Sequence, residues 1–255
     1  MPLLPWDGRS FAMIVTINGG ALQEPLNLTE EEQSILNDKK NSSVVYNYNS
    51  PQAVAFEMKT RANIVAAARG LNSSGAKFAT FANTKGNSQY WTRTDKGALQ
   101  LRPGVSPSAA IQDIFNQGSL YAFECATATV IILYKAVLDT VGAEIFNRNF
   151  AQLELYDWDY DQDLKLVSSN QIQEAYPGDV LYFKNPDVDP KTPQWQGENT
   201  ILLGPDQYFG HGIGIATSQQ IINALNSHRR QGSTTEAYLM NDVVHPDFEY
   251  LRSLR

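Results

Sequence analysis

The spacing of apolar residues predicts three helices in the first 120 residues of the chain. The helix that starts after Ser50 repeats apolar side chains every three or four positions, with Pro51 in its first turn and Gly70 near its end. Residues 29–41 open with a threonine cap and three glutamates, which favour a short, solvated surface helix. Residues 106–118 repeat the serine–proline start and predict a helix of about three turns.

Runs rich in aromatic and β-branched residues predict strands. Between residues 76 and 101, turns at 85–87 and 95–97 separate short runs of this kind, which indicates hairpins. After them, a helix capped by Ser218 and one more short helix at the carboxyl end are predicted. The second half is otherwise mainly sheet, with strands at "QLELYDW", "DVLYFKN", "NTILLG" and "QYFGHGIGIA".

The segment from Cys125 to Asp139 is apolar nearly all round, which is typical of a helix buried in the middle of a fold. Helices and short hairpins are predicted before this segment, and mainly strands after it. The chain contains no internal repeat, low-complexity tract or long charge block. Residues 1–255 are therefore expected to form a single domain.

Composition narrows the possible partners and locations. The 255 residues are 42% hydrophobic and carry a formal net charge of −7, which repels nucleic acid and anionic membranes. The longest apolar stretch, Val130 to Leu138, is shorter than the roughly 20 residues that a bilayer requires. The first 20 residues lack the pattern of a signal peptide. A lone cysteine forms no internal disulfide, which favours an intracellular origin.

That lone cysteine is the first candidate for chemistry. Cys125 lies near the start of the buried helix, where unpaired N–H groups and the helix dipole stabilise a thiolate. The alternative is a small buried side chain that only fills space. A nucleophile also needs a proton acceptor, and an acidic residue, Glu124, directly precedes the cysteine.

Of the three histidines, His211 has the most favourable setting. It lies in "YFGHGIGI", which predicts one continuous strand, whereas the other two lie in a basic helix end and a polar tail and are expected at the surface. A hairpin through residues 204–206 places Thr200 opposite His211 and Glu198 on the same face. A one-residue slip sends Glu198 to the opposite face.

Two other patterns carry no site. Residues 157–163 place carboxylates at alternate positions, but Gln162 and Ser168 stand where a calcium loop requires glycine and glutamate. The run "GHGIG" lacks the third glycine of a dinucleotide-binding loop. No metal and no cofactor are therefore predicted.

Four segments resemble the spore-coat transglutaminases of spore-forming bacteria, which are protein-glutamine γ-glutamyltransferases. The similarity runs from about residue 50 to the carboxyl terminus, while residues 1–49 match loosely and look like an extension. The segments are "RANIVAAARGLNSSGAKFATFANTKGN", "LYAFECATATVIILYKAVLDTVG", "LYFKNPDVDPKTPQWQGENTILLG" and "YFGHGIGI".

The resemblance implies an α/β fold of the α+β kind, with a compact papain-like cysteine peptidase core in which the buried helix carries the cysteine at its N-terminus and packs on an antiparallel sheet. It implies Cys125 as nucleophile and Glu198 and Glu124 as acid/base residues, and His211 matches the family's site histidine. It further implies calcium-independent cross-linking of spore coat proteins that bear glutamine and lysine, in the mother-cell cytoplasm and at the spore coat.

In this chemistry a thiolate attacks the glutamine γ-carboxamide, and a lysine amine resolves the thioester. Carboxylates near the sulfur disfavour the thiolate, so the helix dipole or His211 must compensate. Adjacent helix residues do not face each other, which favours Glu198 over Glu124 as the principal base. Trp158 and Trp195 flank predicted strand ends and are candidates to bind substrate and exclude water, with core packing as the alternative.

Two other functions remain open at this point. A papain-like peptidase or amidase would use the same thioester and resolve it with water. A structural coat protein would bury its thiol without using it. The oligomeric state does not follow from the sequence.

Overall fold

The computed structural model describes residues 14–15, 20–22 and 26–255. The predicted absence of a signal peptide concerns residues that lie outside this described part of the chain. Part of the loosely matched segment 1–49 also lies outside it. None of the described helices is long and apolar enough to cross a membrane. The helices are α1 (Glu30–Lys40), α2 (Pro51–Ser74), α3 (Pro107–Asn116), α4 (Cys125–Val141), α5 (Ala143–Asn149), α6 (Ser218–Asn226) and α7 (Phe248–Ser253).

The largest sheet is antiparallel and has six strands in the order β12-β11-β10-β9-β13-β8. Two short sheets, β1-β2 and β3-β6, are parallel, and β4-β5-β7 form an antiparallel sheet. The strands are β1 (Ile14–Val15), β2 (Tyr46–Asn47), β3 (Lys77–Phe78), β4 (Trp91–Arg93), β5 (Leu99–Leu101), β6 (Ala122–Phe123), β7 (Glu154–Leu155), β8 (Leu166–Ser169), β9 (Val180–Lys184), β10 (Gly197–Gly204), β11 (Gln207–Gly210), β12 (Gly214–Ala216) and β13 (Tyr238–Pro246).

Helix α4 forms the centre of the fold, as its composition predicts. All of its residues are buried except Lys135 and Asp139, which pair with each other one turn apart. The helix packs against α2 and against β10 of the six-stranded sheet. Cys125 is its first residue. The predicted architecture, a buried helix with the cysteine at its amino end against an antiparallel sheet, is confirmed.

The predicted helix ends and exposures are only partly correct. Helix α2 continues past Gly70 and stops at Gly75, whose φ of +91° is a left-handed conformation that favours glycine. Helix α1 has the predicted threonine cap but is not simply solvated. Its Ile35 and Leu36 are buried against Val54 and Met58 of α2.

Two strand predictions are wrong. The run 207–216 is not one strand, because it turns back at residues 211–213 and forms the hairpin β11-β12. The turn at 85–87 does not join hairpin strands, since β3 pairs in parallel with the distant β6. The hairpin around 95–97 is confirmed as β4-β5. Strand β13 was not predicted, although it lies between β9 and β8 in the main sheet.

A buried cluster of charges joins α1, α2 and the turn before β9. Nζ of Lys39 lies 2.7 Å from Oε1 of Glu57, and Nε of Arg61 lies 2.8 Å from the same oxygen. Nη1 of Arg61 also lies 2.6 Å from Oδ1 of Asp179. Burial alone would raise the pKa of Glu57, but the charges of Lys39 and Arg61 outweigh it and hold that pKa well below its usual range. The charges of the two cations and the two carboxylates cancel only when all four groups are present.

We expect Glu57→Gln to lower the free energy of unfolding by about 3–5 kcal/mol, because it leaves two buried cations with one carboxylate. Urea denaturation measures this. The matched control is Glu154→Gln, which breaks a more exposed ion pair with Lys96 and should change stability little. Equal losses of unfolding free energy in the two variants would show that the buried cluster contributes no more to stability than the exposed ion pair.

Candidate active site

Glu124 is the N-cap of α4, and its side chain folds back over the first turn of the helix. Its φ of −80° and ψ of 162° are extended rather than helical. Oε2 accepts a hydrogen bond of 2.7 Å from the N–H of Ala126, and Oε1 accepts one of 3.0 Å from the thiol of Cys125. The expectation that neighbouring residues in a helix point apart does not apply here, because a cap residue lies outside the helix.

Cys125 is buried, and its surroundings favour the neutral thiol. Burial raises its pKa well above the usual value, and the negative charges of Glu198 and Glu124 raise it further. The backbone of Asn199 acts in the opposite direction. The helix start therefore does not leave a resting thiolate, since Glu124 accepts the N–H of Ala126 and lies between that N–H and the sulfur.

The side chain of Asn199 also contacts the sulfur. Its Nδ2 donates to Sγ of Cys125 at 3.5 Å, and the residue is 8% exposed. Asn199 pairs across the sheet with Tyr182, which lines the same cavity. Burial raises the pKa of Tyr182 to about 12, with a further contribution from Cys125. Neither residue was predicted, because only the pairing of β10 with β9 brings them to the cysteine.

Glu198 is buried, at 2% exposure, and lies against the glycine-rich hairpin β11-β12. Its Oε1 accepts a hydrogen bond of 2.9 Å from the N–H of Gly212. Burial raises its pKa to about 8 against the effect of that hydrogen bond, and the charge of Glu124 adds to the rise. A carboxyl group with such a pKa can both accept and donate a proton near neutral pH.

His211 occupies a different place from the predicted one. Gly210, rather than His211, lies opposite Thr200, and His211 lies in the turn that follows β11. Its ring stacks on Phe123 with centroids 4.8 Å apart. Burial lowers its pKa to about 4, so the ring is neutral at physiological pH and cannot act as the cation that compensates for the carboxylates. Its Nε2 is buried without a hydrogen-bond partner among the described residues.

The thiol opens into a cavity of about 480 Å³. Trp158 lines this cavity, next to Asp157, whose φ of +49° is left-handed. Trp195 stands between two lining residues, Gln194 and Gln196. Its ring stacks face to face on the side chain of the histidine that follows α6, with centroids 4.2 Å apart. The structure therefore places one predicted tryptophan in the wall and the other beside it.

The described residues contain no group of three or more histidine, cysteine or acidic side chains that could hold a metal ion. A thiol hydrogen-bonded to a carboxylate, beside a second carboxyl with a pKa near neutrality, is suited to nucleophilic attack on a carbonyl group and to the proton transfers that accompany it.

Comparison with known proteins agrees with this chemistry. The sequence profile of the protein-glutamine gamma-glutamyltransferase family matches residues 13–255. An enzyme of this name from Bacillus subtilis (strain 168) is 47% identical over 221 residues, which are 86% of this chain and 89% of the relative. One from Bacillus cereus (strain B4264) is 46% identical over 217 residues, 85% of this chain and 78% of the relative.

The fold also matches that of a solved structure. The transglutaminase from Geobacillus stearothermophilus, without its C-terminal extension, is 52% identical and has a TM-score of 0.76, covering 80% of this chain and 97% of its own. The resemblance seen in the sequence is thus confirmed by profile, relatives and fold. The chain belongs to the protein-glutamine gamma-glutamyltransferase family.

Proposed function

We propose that Cys125 is the nucleophile of protein-glutamine γ-glutamyl transfer, with Glu124 and Glu198 as its acid/base residues. The observation that carries the proposal is the 3.0 Å hydrogen bond from the thiol of Cys125 to Oε1 of Glu124, at the wall of a cavity. Protein substrates that bear glutamine and lysine follow from membership of the family.

In the first half-reaction, the thiol proton moves to Oε1 of Glu124 and the electron pair stays on sulfur. The sulfur then forms a bond to the γ-carbon of glutamine, and the carbon–nitrogen bond breaks. The leaving nitrogen takes a proton from a carboxyl group and departs as ammonia. A thioester to Cys125 remains.

In the second half-reaction, a lysine amine attacks the thioester carbon, and the carbon–sulfur bond breaks. The amine must lose a proton as it attacks, and Glu198 is the favoured acceptor because its pKa of about 8 lies close to the working pH. The sulfur leaves as thiolate and regains its proton. The product is an ε-(γ-glutamyl)lysine isopeptide bond. We assign His211 to supporting the hairpin that holds Glu198, since Gly212, the next residue, donates to that carboxyl.

Water must be kept from the thioester for cross-linking to prevail over hydrolysis. We propose that Trp158 in the cavity wall, and Trp195 beside that wall, position substrate and exclude water. If water resolves the thioester instead, the enzyme is an amidase or peptidase of the same architecture.

We further propose that the reaction needs no calcium, and that the substrates are spore coat proteins of a spore-forming bacterium, modified in the mother-cell cytoplasm and at the coat. The Bacillus relatives support this setting. We also propose that residues 1–255 act as one catalytic domain. The buried pair of Lys39 and Glu57, which ties α1 to α2, supports this for the described part of the chain.

Cys125→Ala is expected to abolish incorporation of a primary amine into a glutamine-bearing protein, because no other cysteine exists to form the thioester. The wild-type protein is assayed with a chelator present, so that its activity there also tests whether the reaction needs calcium. The melting temperature serves as the folding control. Activity retained in this variant would exclude the mechanism, and product release without amine incorporation by wild type would favour the amidase.

Glu198→Gln and Glu124→Gln should each reduce turnover by about 100- to 10,000-fold, since an amide matches a carboxylate in shape but accepts no proton. The double substitution should be slower than either single one if each carboxyl partly replaces the other. Single-turnover measurements separate thioester formation from aminolysis. His211→Ala serves as the comparison: if it is inactive while Glu198→Gln resembles wild type, a cysteine–histidine pair must replace the proposed assignment.

The rate of amine incorporation should rise between about pH 6 and about pH 9. Glu198 accepts a proton only when ionised, and burial raises its pKa to about 8, while the thiol pKa is raised as well. His211, with a pKa of about 4, should contribute nothing in this range. The residual activity of Glu198→Gln should lack the inflection near pH 8. An optimum on the acid side of neutrality would contradict these pKa directions.

A further inference from the structure

Burial and two carboxylates favour the protonated form of Cys125, and Asn199 opposes them through its backbone and through a hydrogen bond from its side-chain amide to the sulfur. Burial and the charges of Glu198 and Glu124 all favour the protonated thiol. Proton transfer to Glu124 therefore needs a donor that stabilises the charge left on the sulfur. The side chains that hydrogen-bond to the sulfur are those of Glu124 and Asn199, and Glu124 acts as acceptor.

We propose, on the basis of the function proposed above, that the side-chain amide of Asn199 is a catalytic group that donates a hydrogen bond to the thiolate of Cys125. Its Nδ2 lies 3.5 Å from Sγ in the resting enzyme. When the sulfur–hydrogen bond breaks, the proton goes to Oε1 of Glu124 and the electron pair stays on sulfur. The hydrogen bond from Asn199 then becomes charge-assisted and stronger.

The fold fixes this amide in place. Asn199 lies inside β10, paired with Tyr182 of β9, so its backbone is held by the ladder on that side. It is buried, and it lines the cavity together with Cys125. Because the amide is positioned before substrate arrives, it stabilises charge without reorganisation during the reaction. An amide suits this role better than a cation, since it supports a transient negative charge without pairing permanently with Glu198 or Glu124.

The test measures the alkylation of Cys125 by iodoacetamide, a neutral reagent, against pH. Only the thiolate reacts, so loss of a stabilising donor lowers the rate below the thiol pKa and moves the titration to higher pH. Asn199→Ser and Asn199→Leu remove the amide. We expect both to lower the alkylation rate at about pH 8 by about tenfold, and to approach the wild-type rate only at higher pH.

Asn185→Ser provides a matched control. Asn185 is also a buried asparagine of this sheet region, but its amide donates to the carbonyl oxygens of Trp195 and Leu225. Its substitution removes two hydrogen bonds and should leave the titration of the thiol at the wild-type pH. If Asn199→Ser and Asn185→Ser shift the titration equally, or if the Asn199 variants titrate as wild type, the proposal is overturned.

One measurement needs no Asn199 variant, in case those variants fold poorly. In the wild-type protein, the side-chain amide NMR signal of Asn199 should shift with pH as the thiol ionises, and Cys125→Ala should abolish that shift. If the chemical shift of this amide does not change as the thiol ionises, the proposed role of Asn199 is overturned and the proposed function is not. By contrast, amine incorporation that survives Cys125→Ala overturns the proposed function itself, so the two failures are distinguishable.

Discussion

The contact on which the site depends is the double hydrogen bond of the Glu124 carboxylate, which joins the N–H of Ala126 to the thiol of Cys125. The first turn of a helix leaves N–H groups unpaired, and a cap side chain satisfies them. Here the other oxygen of the cap accepts a hydrogen bond from the thiol. The helix dipole consequently stabilises the carboxylate first and the sulfur only through it. One residue thus both caps the central helix and accepts the hydrogen bond of the thiol.

Burial determines the resting state of this arrangement. Burial raises the pKa of both the Cys125 thiol and Glu198, and the charges of neighbouring carboxylates raise each pKa further. The resting enzyme therefore holds its sulfur as a neutral thiol. A neutral thiol reacts slowly with oxidants and with water-borne electrophiles. A thiolate forms only when another group accepts the thiol proton, and this links the reactivity of the sulfur to the geometry of the carboxyls.

The sequence predicts the central helix and its cysteine well because these depend on local composition. Cys125 to Asp139 has no polar face, so it must be buried wherever it packs. The misplaced features depend on contacts that composition does not record. Glycines alternate with larger side chains around His211, and this pattern predicted a continuous strand where the glycines in fact permit a turn. The contact of Asn199 with Cys125 could not be predicted from the sequence, because it depends on the register of β10 against β9 and on the distance to α4.

Glycines explain how so many side chains fit around one sulfur atom. A Cβ at Gly210 would lie 2.7 Å from Cγ of Glu198, and one at Gly197 would lie 2.1 Å from the hydroxyl of Tyr182. Each glycine therefore leaves the space that a neighbouring polar side chain occupies beside the cavity. Neither position calls for unusual backbone angles, so the requirement is for space rather than for flexibility. These two glycines thus decide where Glu198 and Tyr182 lie, and through the position of Glu198 they influence the pKa of the thiol.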